Sequence, residues 1–434
     1  MATDTTTAAM NAAALGAAER RVFQRIAWRL VPILCIGYVL NYLDRSNIGF
    51  AALTMNQALG LSASQFGIGA GILFVSYCLF EIPSNLALVR FGARRWIARI
   101  MITWGIVSAA TALVVGAKSF YALRFLLGLA EAGFFPGVTF YLAAWFPAAL
   151  RTRMLAWFLL GIPLSAVVGN ALSGFLLELD GVAGIAGWKW LFIAEGLPSV
   201  VVGVLALRLL ADGPDTATWL GADERQLVKA TLAAEPRERE VRHVLPAIRD
   251  PRVLVLAVIQ FGFTLASYGV GIWLPTIVKQ QHFANVTVGL FTALPYVFAS
   301  IGMLGWAAAV DRGASKIRQL WITCALAALG LVVAVIAGNF ALSLLAVTVA
   351  LVGITAARAV FWTIPTRFLT GIGAAGGLAF INSIGTLGGF FGPSTVGVLK
   401  DATGSFAAGF YVMAAILAVA AGLAASLRFL VREE

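Results

Sequence analysis

Residues 28–50 read WRLVPILCIGYVLNYLDRSNIGF. The run is long and apolar enough to cross a bilayer, which takes about 20 residues of helix. Its second half nevertheless carries Asn41, Asp44, Arg45 and Asn47. An ionisable side chain at the centre of a span costs about 2.5–3.5 kcal/mol or more, so it is retained only where protein, a partner charge or a substrate path receives it. Tyr38, Asn41, Tyr42 and Arg45 follow the i, i+3, i+4, i+7 spacing of one helical face. That stripe must turn away from lipid. A single anchor has nowhere to turn it, so the stretch calls for a bundle with a polar interior.

The rest of the chain supplies the bundle. Of its 434 residues 60% are hydrophobic and 12% charged, with a mean hydropathy of +0.91; soluble domains carry about twice that charged fraction. Besides 28–50, apolar runs of spanning length fall near 66–89, 96–117, 120–146, 154–178 and 188–210. Six more follow, near 253–276, 286–309, 317–337, 340–365, 375–398 and 405–430. The expected fold class is an all-α membrane protein with 12 transmembrane helices in two six-helix pseudo-symmetric halves. The expected division is a disordered cytoplasmic tail (1–20), an N-terminal half (21–210), a cytoplasmic linker (211–250) and a C-terminal half (251–434). Within the linker, 222–234 reads as one amphipathic helix.

The net charge of +11 does not point to nucleic acid, because its placement is topological. With the N-terminus inside, 24 of the 31 Lys and Arg fall in cytoplasmic segments and four (Lys118, Lys189, Lys279, Lys400) outside. That bias places both termini in the cytoplasm. The remaining three, Arg45, Arg124 and Arg358, lie inside spans. A weak internal repeat supports two halves. Arg90, in the connector LVRFGARR (88–95), aligns with Arg312, in VDRGASK (310–316), 222 residues on. Arg90, Asp311 and Arg312 are the expected gating residues.

The fourth span reads RFLLGLAEAGFFPG (124–137). Arg124 and Glu131 share a helix face, with Gly128 between them for close approach. Desolvation penalises the charged form of an isolated carboxyl, so Glu131 suits a proton carrier; an Arg–Glu pair that only pins helices is the competing reading. In the other half, Gln260, Thr264 and Tyr268, then Thr292 and Tyr296, then Asn382 and Thr386 form polar stripes, and Arg358 shares a face with Thr355 and Trp362. Any one such stripe is more often helix–helix glue than a ligand site. Glu81 and Glu195 read as structural groups close to the interface. Cys35, Cys78 and Cys324 have no metal-ligand or disulfide spacing, and His243 and His282 lie far apart. The GxGxxG spelling at 371–376 lies between two spans with no strand before it. An enzyme, a metal site and a bound organic cofactor are not expected.

Six stretches together resemble the major facilitator superfamily and, within it, the anion:cation symporters: YLDRSNIG (42–49), EIPSNL (81–86), Arg124 through Pro136-Gly137, GWKWLF (187–192) with Glu195-Gly196, FW (361–362) with Pro365, and INSIGTLGG (381–389) with Gly392-Pro393. The resemblance runs from about residue 20 to 430. It implies the major facilitator fold and proton-coupled uptake of a small organic anion such as a sugar acid or an aromatic acid, by alternating access across the bacterial inner membrane. Asp44 and Glu131 would carry protons with Arg124 coupled to them, and Arg45 would face the substrate carboxylate. Tyr38, Asn41, Gln260, Tyr268, Arg358, Trp362, Asn382 and Thr386 would complete the substrate site. Thr386 departs from the Asn of many members, Val89 from the acid of the first loop motif, and Ala307 from the glycine of its second copy. The expected partners are the anion, the coupling proton and the bilayer, with a functional monomer. Anion exchange without protons stays open beside symport, as does, more remotely, a non-transporting membrane sensor.

Overall fold

The computed structural model describes residues 16–234, 249–312, 314–365 and 371–431. The tail ahead of residue 16, linker residues 235–248, Arg367, Arg432 and the side chain of Asp311 lie outside the described residues. The N-terminal helices are α1 (Ala17–Ser46), α2 (Ile48–Leu59), α3 (Ala63–Phe91), α4 (Ala93–Ala110), α5 (Ala117–Glu131), α6 (Phe134–Trp145), α7 (Ala148–Leu159), α8 (Gly161–Leu176) and α9 (Gly187–Leu209). After a short helix, α10 (Ala222–Ala233), come α11 (Pro251–Lys279), α12 (Asn285–Asp311), α13 (Lys316–Ile336), α14 (Phe340–Phe361), α15 (Gly371–Thr403) and α16 (Ala407–Leu430). Among the described residues, 11 helical stretches are long and apolar enough to cross a membrane. Their outward faces carry large apolar side chains, Trp28, Leu126, Leu164, Leu294 and Val419 among them. Such a surface suits acyl chains rather than water.

Several expected spans are broken rather than continuous. The first stops at Asn47 and resumes as α2, the fourth turns at Ala132-Gly133, and the fifth steps at Leu160. At the second break Gly133 sits at φ +87°, a conformation that costs a side-chain-bearing residue energy. Backbone freed at such breaks is tolerated at membrane depth only where protein or a cavity receives it.

The packing repeats itself. Helices α3 and α12 begin at Ala63 and Asn285, 222 residues apart, the offset of the sequence repeat. Contacts α3–α5, α4–α9 and α1–α8 in the first half have counterparts α12–α14, α13–α16 and α11–α15 in the second. Between halves, α3 packs on α15 and α8 on α12, again a symmetric pair, while α2 meets α11.

The α3–α15 seam starts at the end of the bundle away from the termini. Backbone N–H groups of Ala63 and Ser64 donate to Asp401 at 3.1 and 2.8 Å. Alongside it, Phe74 of α3 meets Tyr268 of α11, 4.3 Å between ring centroids. Close approach depends on glycine: a Cβ on Gly71 would lie 2.7 Å from the Phe390 carbonyl oxygen. Beyond Cys78, which faces the Ser383 carbonyl at 3.9 Å, residues Ile82, Leu86, Val89 and Phe91 are exposed. The polar segment ahead of α11 contributes α10, tied to α1 by Glu224–Arg25 at 2.8 Å.

Candidate substrate and coupling site

The two acids and two arginines singled out in the first and fourth spans come together in the interior. Asp44 and Glu131 are fully buried and Arg124 is 1% exposed. Although adjacent, Asp44 and Arg45 diverge. Arg45 Nε donates to Glu131 Oε2 at 2.7 Å. Asp44 instead accepts from Ser108 Oγ of α4 at 2.5 Å and Ser199 Oγ of α9 at 3.4 Å. Among the described residues no cation pairs with Asp44. Arg124 stands near Asp44, Glu131 and Arg45 without an ion pair to any; it donates to the Ala70 carbonyl at 3.4 Å and leaves Nε and Nη1 without a partner. Gly128, one turn below Glu131, lets α5 press against the Leu73 carbonyl and Ser76 of α3.

Arg45 lies among aromatic rings, 4.7 Å from the Tyr77 centroid and 5.6 Å from that of Tyr42. Tyr268, from α11 of the other half, also faces it and neighbours Arg358 as well. Tyr268 is thus a neighbour of both arginines. Arg358 is part-exposed, 5.9 Å from the Phe263 centroid and facing Tyr296. Unmet hydrogen-bonding capacity collects in the same interior: Glu131 Oε1, Asn41 Nδ2 and Gln260 Oε1 are buried with no partner. Such groups are rare in folded proteins, and each costs about 1–3 kcal/mol.

Of the remaining expected residues, Tyr38 borders the same cluster, edge-on to Tyr42 at 5.2 Å between centroids. Tyr38 is 4% exposed and stacks on Phe158 with centroids 4.1 Å apart. Trp362 follows the end of α14, edge-on to Phe361 at 5.3 Å. Asn382 and Thr386 are half-buried on α15, joined by Thr386 Oγ1 donating to the Asn382 carbonyl at 2.8 Å. Arg90 and Arg312 are exposed at the ends of α3 and α12.

Two residues escaped sequence reading. Glu195, expected as a structural group close to the interface, is enclosed by protein: it is 2% exposed and accepts from Ser173 Oγ at 2.8 Å. Asp212 holds the loop after α3, accepting from the Arg94 N–H at 2.9 Å and packing against Gly92, whose φ is +88°.

A family model described as the Major Facilitator Superfamily matches residues 34–393. The chain belongs to that superfamily. It is a multi-pass membrane transporter, and neither its fold nor its relatives are those of an enzyme. A protein of Agrobacterium vitis provisionally named a tartrate transporter is 49% identical over 93% of this chain and 94% of its own. A quinolone resistance transporter of Acinetobacter baumannii is 41% identical over 92% and 93%. The likeness of fold also extends to solved structures at 15% identity: a D-xylose–proton symporter has a TM-score of 0.75, covering 92% of this chain and 97% of that one.

Proposed function

We propose that this transporter imports a small organic dianion, a hydroxy-dicarboxylate of the tartrate kind, together with protons. It has 12 spans with both termini in the cytoplasm of a bacterial inner membrane, α15 being the twelfth span alongside the 11 stretches above. The halves of residues 21–210 and 251–434 rock about the site, and one chain suffices.

The observation that carries the reading is the Arg45–Glu131 ion pair at the broken end of α5. While Glu131 is ionised, it occupies the guanidinium that a substrate carboxylate needs. A proton on Glu131 dissolves the pair and frees Arg45 for the substrate. Arg358, which shares Tyr268 as a neighbour, offers a second cation from the opposite half, and a dianion bridging the two draws the halves together. Asp44 and Glu131 supply two proton sites, which match the two charges of the cargo. A dianion with two protons crosses without net charge, whereas a monoanion with two would carry one positive charge inward, favoured by about 2.3 kcal/mol per 100 mV. The names of the relatives provisionally called tartrate transporters support the substrate class.

The test is uptake of labelled tartrate into proteoliposomes with the outside acidified. Accumulation that collapses with the pH gradient and is lost in Glu131→Gln supports symport. Exchange of preloaded tartrate indifferent to pH replaces it with the antiport reading. The relative named for quinolone resistance favours a second cargo, a bulkier aromatic carboxylate, and competition by a quinolone against tartrate decides between them.

A further inference from the structure

Glu195 is a buried acid for which the Arg45–Glu131 exchange has no use. On α9 it is 2% exposed, Oε1 accepts from Ser173 of α8 at 2.8 Å, and Oε2 has no partner. Asn47, at the break between α1 and α2, faces it and is 1% exposed with both side-chain polar atoms unpartnered. One helical turn along α9 from Glu195, Ser199 reaches Asp44. The residues meeting Glu195 from the neighbouring helices are Ser173 (α8), Asn47 (the α1–α2 break) and Asp44 (α1); of these only Asp44 titrates, and no cation faces Glu195 among the described residues.

The charge count then matters. The buried cluster holds three carboxyls, Asp44, Glu131 and Glu195, but two guanidiniums, Arg45 and Arg124. One guanidinium is already engaged by Glu131. An uncompensated carboxylate is costly in such surroundings, so the cluster is stable only with a proton on an acid remote from the arginines. Glu195 is the acid whose neighbours include no arginine.

We propose that Glu195 is a third proton-carrying carboxyl, the member through which Asp44 is loaded from the end of the bundle that is closed in this structure. This rests on the proton-symport reading above. The step is a plain proton transfer: the Glu195 O–H bond breaks and its proton passes to the Ser199 hydroxyl, whose own O–H proton moves to the Asp44 carboxylate it already donates to, leaving Glu195 as a carboxylate. It regains a proton from the medium when the halves part at that end. Its depth agrees. Glu195 lies eight residues into α9, about 12 Å along the helix, on the side of Asp44 towards the closed end.

Glu195→Gln keeps an acceptor for Ser173 and the side-chain volume but cannot carry the proton. Purified wild type and Glu195→Gln are compared by infrared difference spectroscopy for the carboxylic C=O stretch, and in proteoliposomes with labelled tartrate. The expected result is a deuterium-sensitive carboxylic acid band that the variant lacks. Gradient-driven uptake is lost, while exchange of preloaded tartrate persists. A wild type without gradient-driven uptake would count against symport itself, and the infrared band still decides whether Glu195 holds a proton. Unchanged band and uptake in the variant, or loss of exchange along with uptake in a folded variant, would overturn the proposal.

Discussion

Arg45 and Glu131, from the first and fourth spans, form a buried ion pair at 2.7 Å, the guanidinium side chain 10% exposed and the carboxyl fully enclosed. Removing one partner of such a pair strands a charge, at a cost of about 3–5 kcal/mol. Arg45→Ala is therefore expected to lower the melting temperature in detergent markedly. The double variant Arg45→Ala/Glu131→Ala should recover most of the loss, since it removes both charges. A double variant no more stable than Arg45→Ala would mean the pair is not the source of the cost.

Tyr268 neighbours both Arg45 and Arg358, so a dianion is expected to engage the two arginines together. Arg358→Gln removes one charge-assisted contact of about 1.5–3 kcal/mol. Affinity for tartrate should fall by about tenfold to a hundredfold, while a monocarboxylate of similar size loses little. Competition binding with the two acids measures the difference; equal losses would refute a two-arginine site.

The apolar spans, the repeat and the two acids and two arginines inside the spans were legible because each leaves a one-dimensional mark: apolar length, a 222-residue offset, charge where lipid forbids it. Glu195 left none. Eight residues from the start of its span it reads as interfacial, and only its lateral neighbours, Ser173 and Asn47, show that it is enclosed. The partner of Glu131 was equally hidden. Arg124 shares its helix face, yet Arg45 makes the bond, because the break at Ala132 ends α5 at Glu131 and α1 brings Arg45 to it. Pairing across helices depends on how the bundle closes, which spacing along one helix does not encode.

Gly133 sets that break. At φ +87° its added Cβ would meet Ser84 Oγ, with Ser84 Cβ 2.8 Å away. Gly133→Ala should destabilise by about 1–3 kcal/mol from backbone strain alone, read as a lower melting temperature, and should displace Glu131 enough to weaken uptake. Gly116→Ala is the control. That glycine is extended at φ 165° with nothing within 4 Å, and a shift within about 0.5 kcal/mol is expected.

Asp401 closes the two halves at the end away from the termini. Its carboxylate accepts from the N–H groups of Ala63 and Ser64 and from Ser64 Oγ at 2.5 Å, at the positive end of α3. Burial pushes the carboxyl up, but the hydrogen bonds from Ser64, Ser62 and Ala63 outweigh it and hold the group below the ordinary carboxylate range. With the folded value depressed, its contribution is fully present above the ordinary value of about 3.9 and is lost only as pH falls further. Any pH dependence of transport at pH 5–8 therefore belongs to other groups. Asp401→Asn should retain that dependence unchanged. Being exposed and screened, the contact is worth about 1 kcal/mol, enough to shift the balance of conformations about fivefold towards opening at this end. Crosslinking of cysteines placed at the α3 and α15 ends reads this directly: the variant should crosslink less than the wild type, and equal crosslinking would show that Asp401 does not hold the halves together.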